Sequence, residues 1–207
     1  LGCRLNIYEG EIIKNHLNKN DIKNVTVINS CAVTAEAEKK VAYEIRKAKR
    51  TNPENKIIVT GCAAQINPKK YHTIKEVDLV LGNKEKLLSN VWSDLNFYQP
   101  IQVDDILLEK KTVPSTIEKF DGKSRAYIEI QQGCDHRCTF CIIPYGRGNN
   151  RSVPAGEIVE RIKKIVKNGY KEVVLTGVDI TDYGKDLPAK PTFSNLIKRI
   201  IKLVPDL

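Results

Sequence analysis

The stretch QQGCDHRCTFCIIPYGRG, residues 131–148, carries Cys134, Cys138 and Cys141 in the spacing C-x3-C-x2-C. The apolar segment RAYIEIQ leads into it, and a helical pattern, PAGEIVERIKKIVKNG, and a second apolar segment, KEVVLTGVDI, follow it. A strand, a loop, a helix and another strand are the opening units of a (β/α) barrel. Active sites in such barrels lie at the carboxyl ends of the strands. The sequence therefore predicts that the three cysteines occupy an active-site loop.

The region before this stretch also predicts an α/β fold. Residues 1–97 alternate the apolar strands NVTVINS, NKIIVTG and VDLVLG with the helical patterns EGEIIKNHLNK, AEAEKKVAYEIRKAKRTNP and KEKLLSNVWSDL. Short buried strands separated by helices are typical of a parallel sheet. Residues 98–124 show no sustained period and predict a linker, with room for a short edge strand. Residues 125–207, which end in the helical pattern TFSNLIKRIIKLVP, predict the first part of the barrel.

Composition narrows the class of protein. The 207 residues, of which 41% are hydrophobic, can bury a core, and the net charge is +9. The sequence lacks the run of about 18 apolar residues that a membrane span needs, so we expect a cytoplasmic protein with no membrane association. The positive charge fits a polyanionic partner such as RNA, but a lysine-rich solvated surface is the alternative. The chain contains no Met, and we expect it to be part of a longer protein.

Three further cysteines share one context. Cys31 follows the strand VTVIN, Cys62 follows KIIVTG, and Cys3 follows Leu1 and Gly2, which we interpret as the end of a strand. Carboxyl ends of parallel strands lie along one edge of a sheet, where ligands bind. The alternative is that these cysteines are small buried hydrophobes. Because core cysteines should fall within strands rather than one step beyond them, the pattern favours a metal site in a reducing compartment.

The clustered cysteines predict an iron–sulfur site with an open position. Iron–sulfur clusters are usually held by four thiolates, and Cys134, Cys138 and Cys141 supply three. A coordination position without a protein ligand is typical of metals that bind substrate. Two alternatives compete with this interpretation. His136 would complete a Cys3His zinc site, or a distant cysteine would complete an ordinary electron-transfer cluster.

The C-x3-C-x2-C pattern after a first barrel strand resembles the signature of the radical S-adenosylmethionine superfamily. This resemblance implies that Cys134, Cys138 and Cys141 hold a 4Fe-4S cluster whose open iron binds S-adenosylmethionine. Reductive cleavage then gives a 5′-deoxyadenosyl radical, so the difficult chemistry belongs to the cofactor. Phe140 matches an aromatic residue that this superfamily often packs near the adenine. A plain hydrophobic plug is the alternative for Phe140.

The motifs LGCRLN, INSCAVT and VTGCAAQ, together with GCDHRCTFCIIPYGRG and VVLTGVDITDYG, resemble the methylthiotransferases, nearly from end to end. The resemblance implies that Cys3, Cys31 and Cys62 hold a second 4Fe-4S cluster for sulfur insertion, and that a second S-adenosylmethionine supplies the methyl group. It also implies two partners, a tRNA anticodon stem-loop and an electron donor such as flavodoxin or ferredoxin. We expect no activity from this chain alone, and the sequence gives no oligomeric state.

The LGCRLN and TGVDITDYG motifs are most similar to the branch that modifies C2 of N6-threonylcarbamoyladenosine next to the anticodon. Two sister branches are alternatives, one acting on isopentenyladenosine in tRNA and one on an aspartate of a ribosomal protein. A rival from a different class is a non-catalytic iron–sulfur or zinc module that binds RNA. The sequence offers no arrangement of nucleophile and base around its three histidines that would support other chemistry.

Basic and aromatic residues follow the cysteine loop. Tyr145, Arg147 and Arg151 would contact RNA phosphates or stack on a base at the rim of an active site. The alternative is that the two arginines fix the loop by hydrogen bonds to carbonyl groups. The basic residues of the second predicted helix form another candidate phosphate track or a solvated helix face; they are Lys39, Lys40, Arg46, Lys47, Lys49 and Arg50.

Overall fold

The computed structural model describes residues 2–115, 117, 119–120 and 122–207. Its first part contains helices α1 (Arg4–Lys19), α2 (Ala35–Thr51), α3 (Cys62–Ile66), α4 (Pro68–His72) and α5 (Ser89–Ser93), and strands β1 (Val25–Ser30), β2 (Lys56–Gly61), β3 (Leu79–Leu81) and β4 (Ile101–Gln102). Among the described residues, these strands form one sheet in the order β1-β2-β3-β4, and each neighbouring pair is parallel. The predicted parallel α/β fold is confirmed.

The strands are held in register by buried apolar side chains. Val59 of β2 lies between Ile28 of β1 and Val80 of β3, and the Val59 and Val80 side chains are fully buried. Helix α2 covers one face of the sheet with Val41 and Ile45, both fully buried. Its first turn is capped because the Thr34 hydroxyl accepts a hydrogen bond of 3.1 Å from the Ala37 amide.

The second part contains strands β5 (Ala126–Glu129), β6 (Gln131–Gln132), β7 (Arg151–Ser152) and β8 (Val173–Thr176), and helices α6 (Ile143–Arg147), α7 (Ala155–Lys167) and α8 (Phe193–Leu203). Strands β5 and β8 pair in parallel, and α7 lies between them in the chain. Strands β6 and β7 form a short antiparallel pair that brackets the cysteine loop. This order is the predicted opening of a barrel.

The two parts share a core. Tyr8 and Ile12 of α1 pack in the same hydrophobic cluster as Ile128 of β5 and Ile162 of α7. The predicted linker also contributes, since Ile117 and Phe120 are 3% and 1% exposed in this cluster. Residues Thr116, Glu118 and Asp121 of that segment lie outside the described residues. Strand β4, which pairs with β3, is the short edge strand expected within the linker.

Some predicted elements differ from the structure. The single helix predicted over 84–95 is wrong: a 3-10 turn covers Glu85–Leu87, Leu88 is extended, and α5 follows. The break has a physical cause, because Lys86 is fully buried by polar partners and anchors the chain there. Ile201, predicted on the apolar face of α8, is 68% exposed. The strand expected before Cys3 would include Leu1, which lies outside the described residues.

None of the described helices is both long enough and apolar enough to cross a membrane.

Candidate functional site

The three cysteines that are distant in sequence line one cavity. Cys3, Cys31 and Cys62 share a cavity of about 470 Å³. The cavity is also lined by Leu175 and Thr176, the last residues of β8, and by Gly177, Val178 and Ile180 after them. All three thiols are free of disulfides, Cys31 and Cys62 are buried, and Cys3 is exposed. The three side chains therefore converge as predicted. The chain that follows the Cys134–Cys141 loop also contributes to the lining of this cavity.

Strand ends and turns place these thiols. Cys31 is the first residue after β1, and Cys62 begins α3 directly after β2. Gly61, the last residue of β2, adopts a φ of +96°, which residues with a β-carbon rarely adopt. A β-carbon at Gly61 would also overlap the backbone of Ser30. Only glycine thus allows Cys62 to turn into the cavity beside Cys31.

The clustered cysteines lie on a loop closed by backbone hydrogen bonds. The Cys134 amide donates to the Gly148 carbonyl at 3.0 Å, and the Cys141 amide donates to the Cys138 carbonyl at 3.0 Å. Arg137 donates to the Cys134 carbonyl at 2.9 Å. Cys138 is exposed, and the other two thiols are half-buried. The loop presents three unpaired thiols at the carboxyl end of β5.

His136 does not complete this set as a zinc ligand. Its Nε2 lies 3.3 Å from Asp179 and 3.6 Å from Asp182, so it faces carboxylates. The Cys134 sulfur lies 3.8 Å from the Asp179 carboxylate. Partial burial, with Asp179 and Cys141 nearby, raises the pKa of Cys134. The metal-free thiol is thus held protonated, and cationic iron would be needed to stabilise its thiolate.

A buried polar network adjoins the Cys3, Cys31 and Cys62 cavity. The Arg147 Nε donates to the Cys62 sulfur at 3.1 Å, and its Nη2 donates to Asn6 at 2.7 Å. Arg147 also forms an ion pair with Glu9. Lys86 donates to the same Glu9 carboxylate at 2.7 Å. Two cations, one carboxylate and one thiol therefore meet in the interior.

Burial and charge pairing act in opposite directions on the pKa values in this network. Burial opposes ionisation of Glu9, but Arg147 and Lys86 outweigh it and hold the pKa of Glu9 below its usual range. Burial lowers the pKa of Lys86, while Glu9 and the Cys62 sulfur favour its charged form. Because unpaired buried charges are costly, each member of the network depends on the others.

The predicted RNA-facing residues are placed differently. Tyr145 is 54% exposed and Phe140 is 90% exposed, so Phe140 is not a hydrophobic plug. The predicted position of Arg147 and Arg151 at the rim is wrong, since they are 2% and 5% exposed. Arg151 instead donates to backbone carbonyls, most closely that of Arg147 at 2.7 Å. Arg151 therefore follows the alternative in which an arginine fixes the loop by hydrogen bonds to carbonyl groups.

The sequence analysis missed Glu9, Asn6, Asn83 and Lys86. Asn83 donates to the Gly146 carbonyl at 2.5 Å and approaches the Cys62 sulfur at 3.7 Å. In the sequence, Glu9 and Lys86 lie in predicted helical segments, where charged side chains are expected to face solvent. Lys86 donates to nearby Asn83 at 2.5 Å, but the remaining partners of these four residues named above lie far away in the chain, so no short-range pattern marks them.

The donor set fits iron–sulfur clusters better than single metal ions. Tetrahedral zinc, with zinc–sulfur bonds of about 2.3 Å, would hold its thiolates about 3.8 Å apart. Among the described residues, the group whose ligand atoms all lie within 4.8 Å of one another is His136, Asp179 and Asp182, and neither cysteine set forms such a group. Thiolates are the usual ligands of iron–sulfur clusters, so each set of three thiols fits such a cluster by its chemistry.

Both parts of the chain are similar to known proteins. Residues 1–82 match an uncharacterized protein family designated UPF0004, and residues 128–204 match the radical SAM superfamily. A threonylcarbamoyladenosine tRNA methylthiotransferase MtaB of Rickettsia prowazekii is 57% identical over 206 residues, 100% of this chain and 48% of that protein. This chain is therefore similar along its whole length to a tRNA methylthiotransferase, and residues 128–204 match the radical SAM superfamily. It spans about half the length of the curated relatives it matches.

Other relatives indicate the branch and the fold. A protein of Aquifex aeolicus with the same name is 38% identical over 90% of this chain and 48% of its own length. A tRNA-2-methylthio-N(6)-dimethylallyladenosine synthase of Desulfotalea psychrophila is 33% identical over 96% of this chain and 49% of its own length. The structure of the radical S-adenosylmethionine methyltransferase TsrM of Kitasatospora setae covers 92% of this chain and 42% of TsrM, with a TM-score of 0.53. At 10% identity, TsrM supports the fold alone.

Proposed function

We propose that this chain is the cluster-bearing part of an enzyme that adds a methylthio group to C2 of N6-threonylcarbamoyladenosine next to the anticodon of a tRNA. The observation that carries the proposal is the contact between Cys62 and the chain that follows the Cys134–Cys141 loop. Arg147, six residues after Cys141, donates to the Cys62 sulfur at 3.1 Å, and a β-carbon at Gly146 would lie 3.1 Å from the Cys62 β-carbon. The 57% identity to a relative with this named activity supports the choice of substrate.

Each cysteine set has its own role in this proposal. Cys134, Cys138 and Cys141 would hold one 4Fe-4S cluster and, at its open iron, S-adenosylmethionine, with Phe140 beside the adenine. A second 4Fe-4S cluster would be held by the remaining cysteines, Cys3, Cys31 and Cys62. When bound, these groups supply the one-electron chemistry, the sulfur and the methyl group that conversion of an aromatic C–H into C–S–CH3 requires.

The protein's own residues would orient the substrate and shield it from water. The cavity beside Cys62 has an apolar wall at Leu175, Val178 and Ile180, which suits the flat face of an adenine ring. Exposed Tyr145 is the candidate for stacking on a neighbouring base. Phosphate contacts would come from the exposed basic face of α2.

The setting we propose for the enzyme is the cytoplasm. Its six free cysteines, of which Cys3 and Cys138 are exposed, fit such a reducing compartment. Reduction of the first cluster would come from a small electron carrier such as flavodoxin or ferredoxin, and the tRNA anticodon stem-loop is the macromolecular partner.

A second candidate substrate is the isopentenyl-type adenosine. The relative from Desulfotalea psychrophila, named for dimethylallyladenosine, retains 33% identity. Nucleoside mass spectrometry of tRNA from a strain lacking the gene for this chain separates the candidates. We expect methylthio-threonylcarbamoyladenosine to disappear and threonylcarbamoyladenosine to accumulate. Loss of the methylthio-isopentenyl nucleoside instead would assign the second substrate.

Complementation of the deletion tests the site itself. The complete gene with Cys62→Ser should restore no methylthio product, whereas Glu38→Gln, at a surface ion pair with Lys70, should restore it fully. If Cys62→Ser restores wild-type levels, the cavity cysteines do not serve this reaction. Separately, the reduced full-length protein should cleave S-adenosylmethionine to 5′-deoxyadenosine. Absence of that product, with clusters intact, would favour a non-catalytic RNA-binding module.

A further inference from the structure

Arg147 is tied to the Cys3, Cys31 and Cys62 cavity although it belongs to the other cysteine region. It lies six positions after Cys141 in the sequence. Its guanidinium donates to the Cys62 sulfur, to Asn6, to Gln132 at 3.2 Å and to Glu9. A buried guanidinium with every nitrogen engaged has one geometry, so its contact with the sulfur is fixed rather than incidental.

The contact of α6 with Cys62 is close at the backbone as well. A β-carbon at Gly146 would lie 3.1 Å from the Cys62 β-carbon and 3.3 Å from the Ile66 side chain. Asn83 bonds to the Gly146 carbonyl while also approaching the Cys62 sulfur. The turn that carries Arg147 therefore rests directly on the turn that carries Cys62.

Among the described residues around this contact, two basic side chains share one carboxylate. Arg147 and Lys86 are both cations and are 2% and 0% exposed, and Glu9 is the carboxylate that pairs with both. The next carboxylate, Glu129, is reached through Gln132. Burial raises the pKa of Glu129 to about 7, so it supplies only part of a counter-charge at neutral pH.

An excess buried cation is costly unless an anion balances it. The sulfur of Cys62 is the group within reach of Arg147 that can become that anion, by ligating a metal as a thiolate. Hydrogen bonds to cluster sulfurs and local net charge are the main protein controls on the potential of iron–sulfur clusters. The interior is thus arranged to favour added negative charge at this site.

We propose that Arg147, delivered by the C-x3-C-x2-C region, is a positioning residue for the metal cluster of Cys3, Cys31 and Cys62 and raises its reduction potential. The inference rests on the proposed cluster at these cysteines. Through Arg147, the environment of the sulfur-donating site depends on correct folding of the radical site's loop.

The test uses the full-length protein with Cys134, Cys138 and Cys141 replaced by Ala, so that iron at the cavity site alone is observed. The midpoint potential is measured by a titration followed by electron paramagnetic resonance. With Arg147→Gln we expect the ratio of reduced to oxidised cluster at a fixed potential to fall about tenfold, which is a shift of about 59 mV to lower potential for a one-electron couple. Arg147→Lys, which keeps the charge, should shift less.

Arg161→Gln is the matched control. Arg161 is also a buried arginine, but it bonds to Tyr8 at 3.1 Å and pairs with Glu157 rather than contacting a sulfur. We expect no shift of the potential from this change. The same potential in wild type, Arg147→Gln and Arg161→Gln, with iron fully loaded, would overturn the role of Arg147.

A further variant covers the case in which Arg147→Gln does not fold because Glu9 loses a partner. Glu9→Gln combined with Lys86→Gln keeps Arg147 and serves as the reference. Compared with it, the double variant Glu9→Gln and Arg147→Gln has the same net charge and also retains one of the two cations, but it lacks the hydrogen bond to sulfur. A lower potential in this double variant supports the proposal, and an unchanged potential overturns it. Absence of iron from the cavity site in protein with native Arg147 would instead refute the cluster assignment, and the proposal with it.

Discussion

Replacing Glu9 by Gln should destabilise the protein far more than a usual change of one carboxylate to an amide. Glu9 is fully buried and pairs with Arg147 and with Lys86, whose side chain is also fully buried. Removing one partner from a buried pair costs about 3–5 kcal/mol, because the remaining charge is left uncompensated. Here two cations lose their common partner, so we expect a loss of at least about 3 kcal/mol. That is a large share of a typical stability of about 5–15 kcal/mol.

The assay is urea unfolding of the metal-free protein, followed by the fluorescence of Trp92. Trp92 is the single tryptophan of the chain, is 1% exposed and donates to the Lys86 carbonyl at 2.8 Å, so it reports on this region. With a slope of about 2–3 kcal/mol per molar urea, the midpoint should fall by about 1 M or more. The control is Glu38→Gln, at an exposed pair with Lys70 that contributes about 1 kcal/mol or less.

The pH dependence gives an independent check. The pKa of Glu9 is lowered in the folded protein from the ordinary 4.5, so its stabilising contribution is present above about pH 4.5. This contribution is lost as the pH falls through the folded pKa, and the difference between wild type and Glu9→Gln should narrow in acid. A loss below 1 kcal/mol at neutral pH, or a difference that widens in acid, would refute the reasoning.

Three other perturbations give separate tests. Burial raises the pKa of Glu129 from 4.5 to about 7, so the wild-type protein should lose stability on the order of 3 kcal/mol as the pH rises through that range, whereas Glu129→Gln should not. Unfolding at pH 5 and pH 8 measures this difference, and an equal change of stability with pH in both proteins would contradict the prediction. Gly61→Ala forces a left-handed φ onto alanine and should cost about 1–3 kcal/mol and reduce iron bound beside Cys62; full iron content would argue against it. Phe140 is 90% exposed, so Phe140→Ala should change the free energy of unfolding by less than about 0.5 kcal/mol. The same variant should bind S-adenosylmethionine more weakly in a calorimetric titration, and an unchanged affinity would show that Phe140 is not part of that site.

Sequence patterns predicted those features that depend on strand order. Cys31 and Cys62 each follow a buried strand, and parallel pairing of β1 with β2 places both at one edge of the sheet. That inference needs only the alternation of strands and helices, which is encoded locally in apolar periodicity. The same logic placed the C-x3-C-x2-C loop after β5.

The polar interior could not be predicted in this way. Glu9 lies 77 positions from Lys86 and 138 positions from Arg147, and each of the three has a charged side chain that sequence patterns assign to the surface. Their burial depends on α1 packing between the two parts of the chain, a tertiary arrangement with no local signature. Lys86 even breaks the helix predicted over its segment, because its side chain is held inside.

The most direct test of the account is the iron content of the full-length protein after anaerobic reconstitution. The two cysteine sets are predicted to hold separate 4Fe-4S clusters, so wild type should bind about eight irons per chain. Replacing Cys134, Cys138 and Cys141 by Ala should leave about four, and replacing Cys3, Cys31 and Cys62 should also leave about four. Wild type with about four irons, or loss of all iron from either triple variant while it remains folded, would contradict two independent centres.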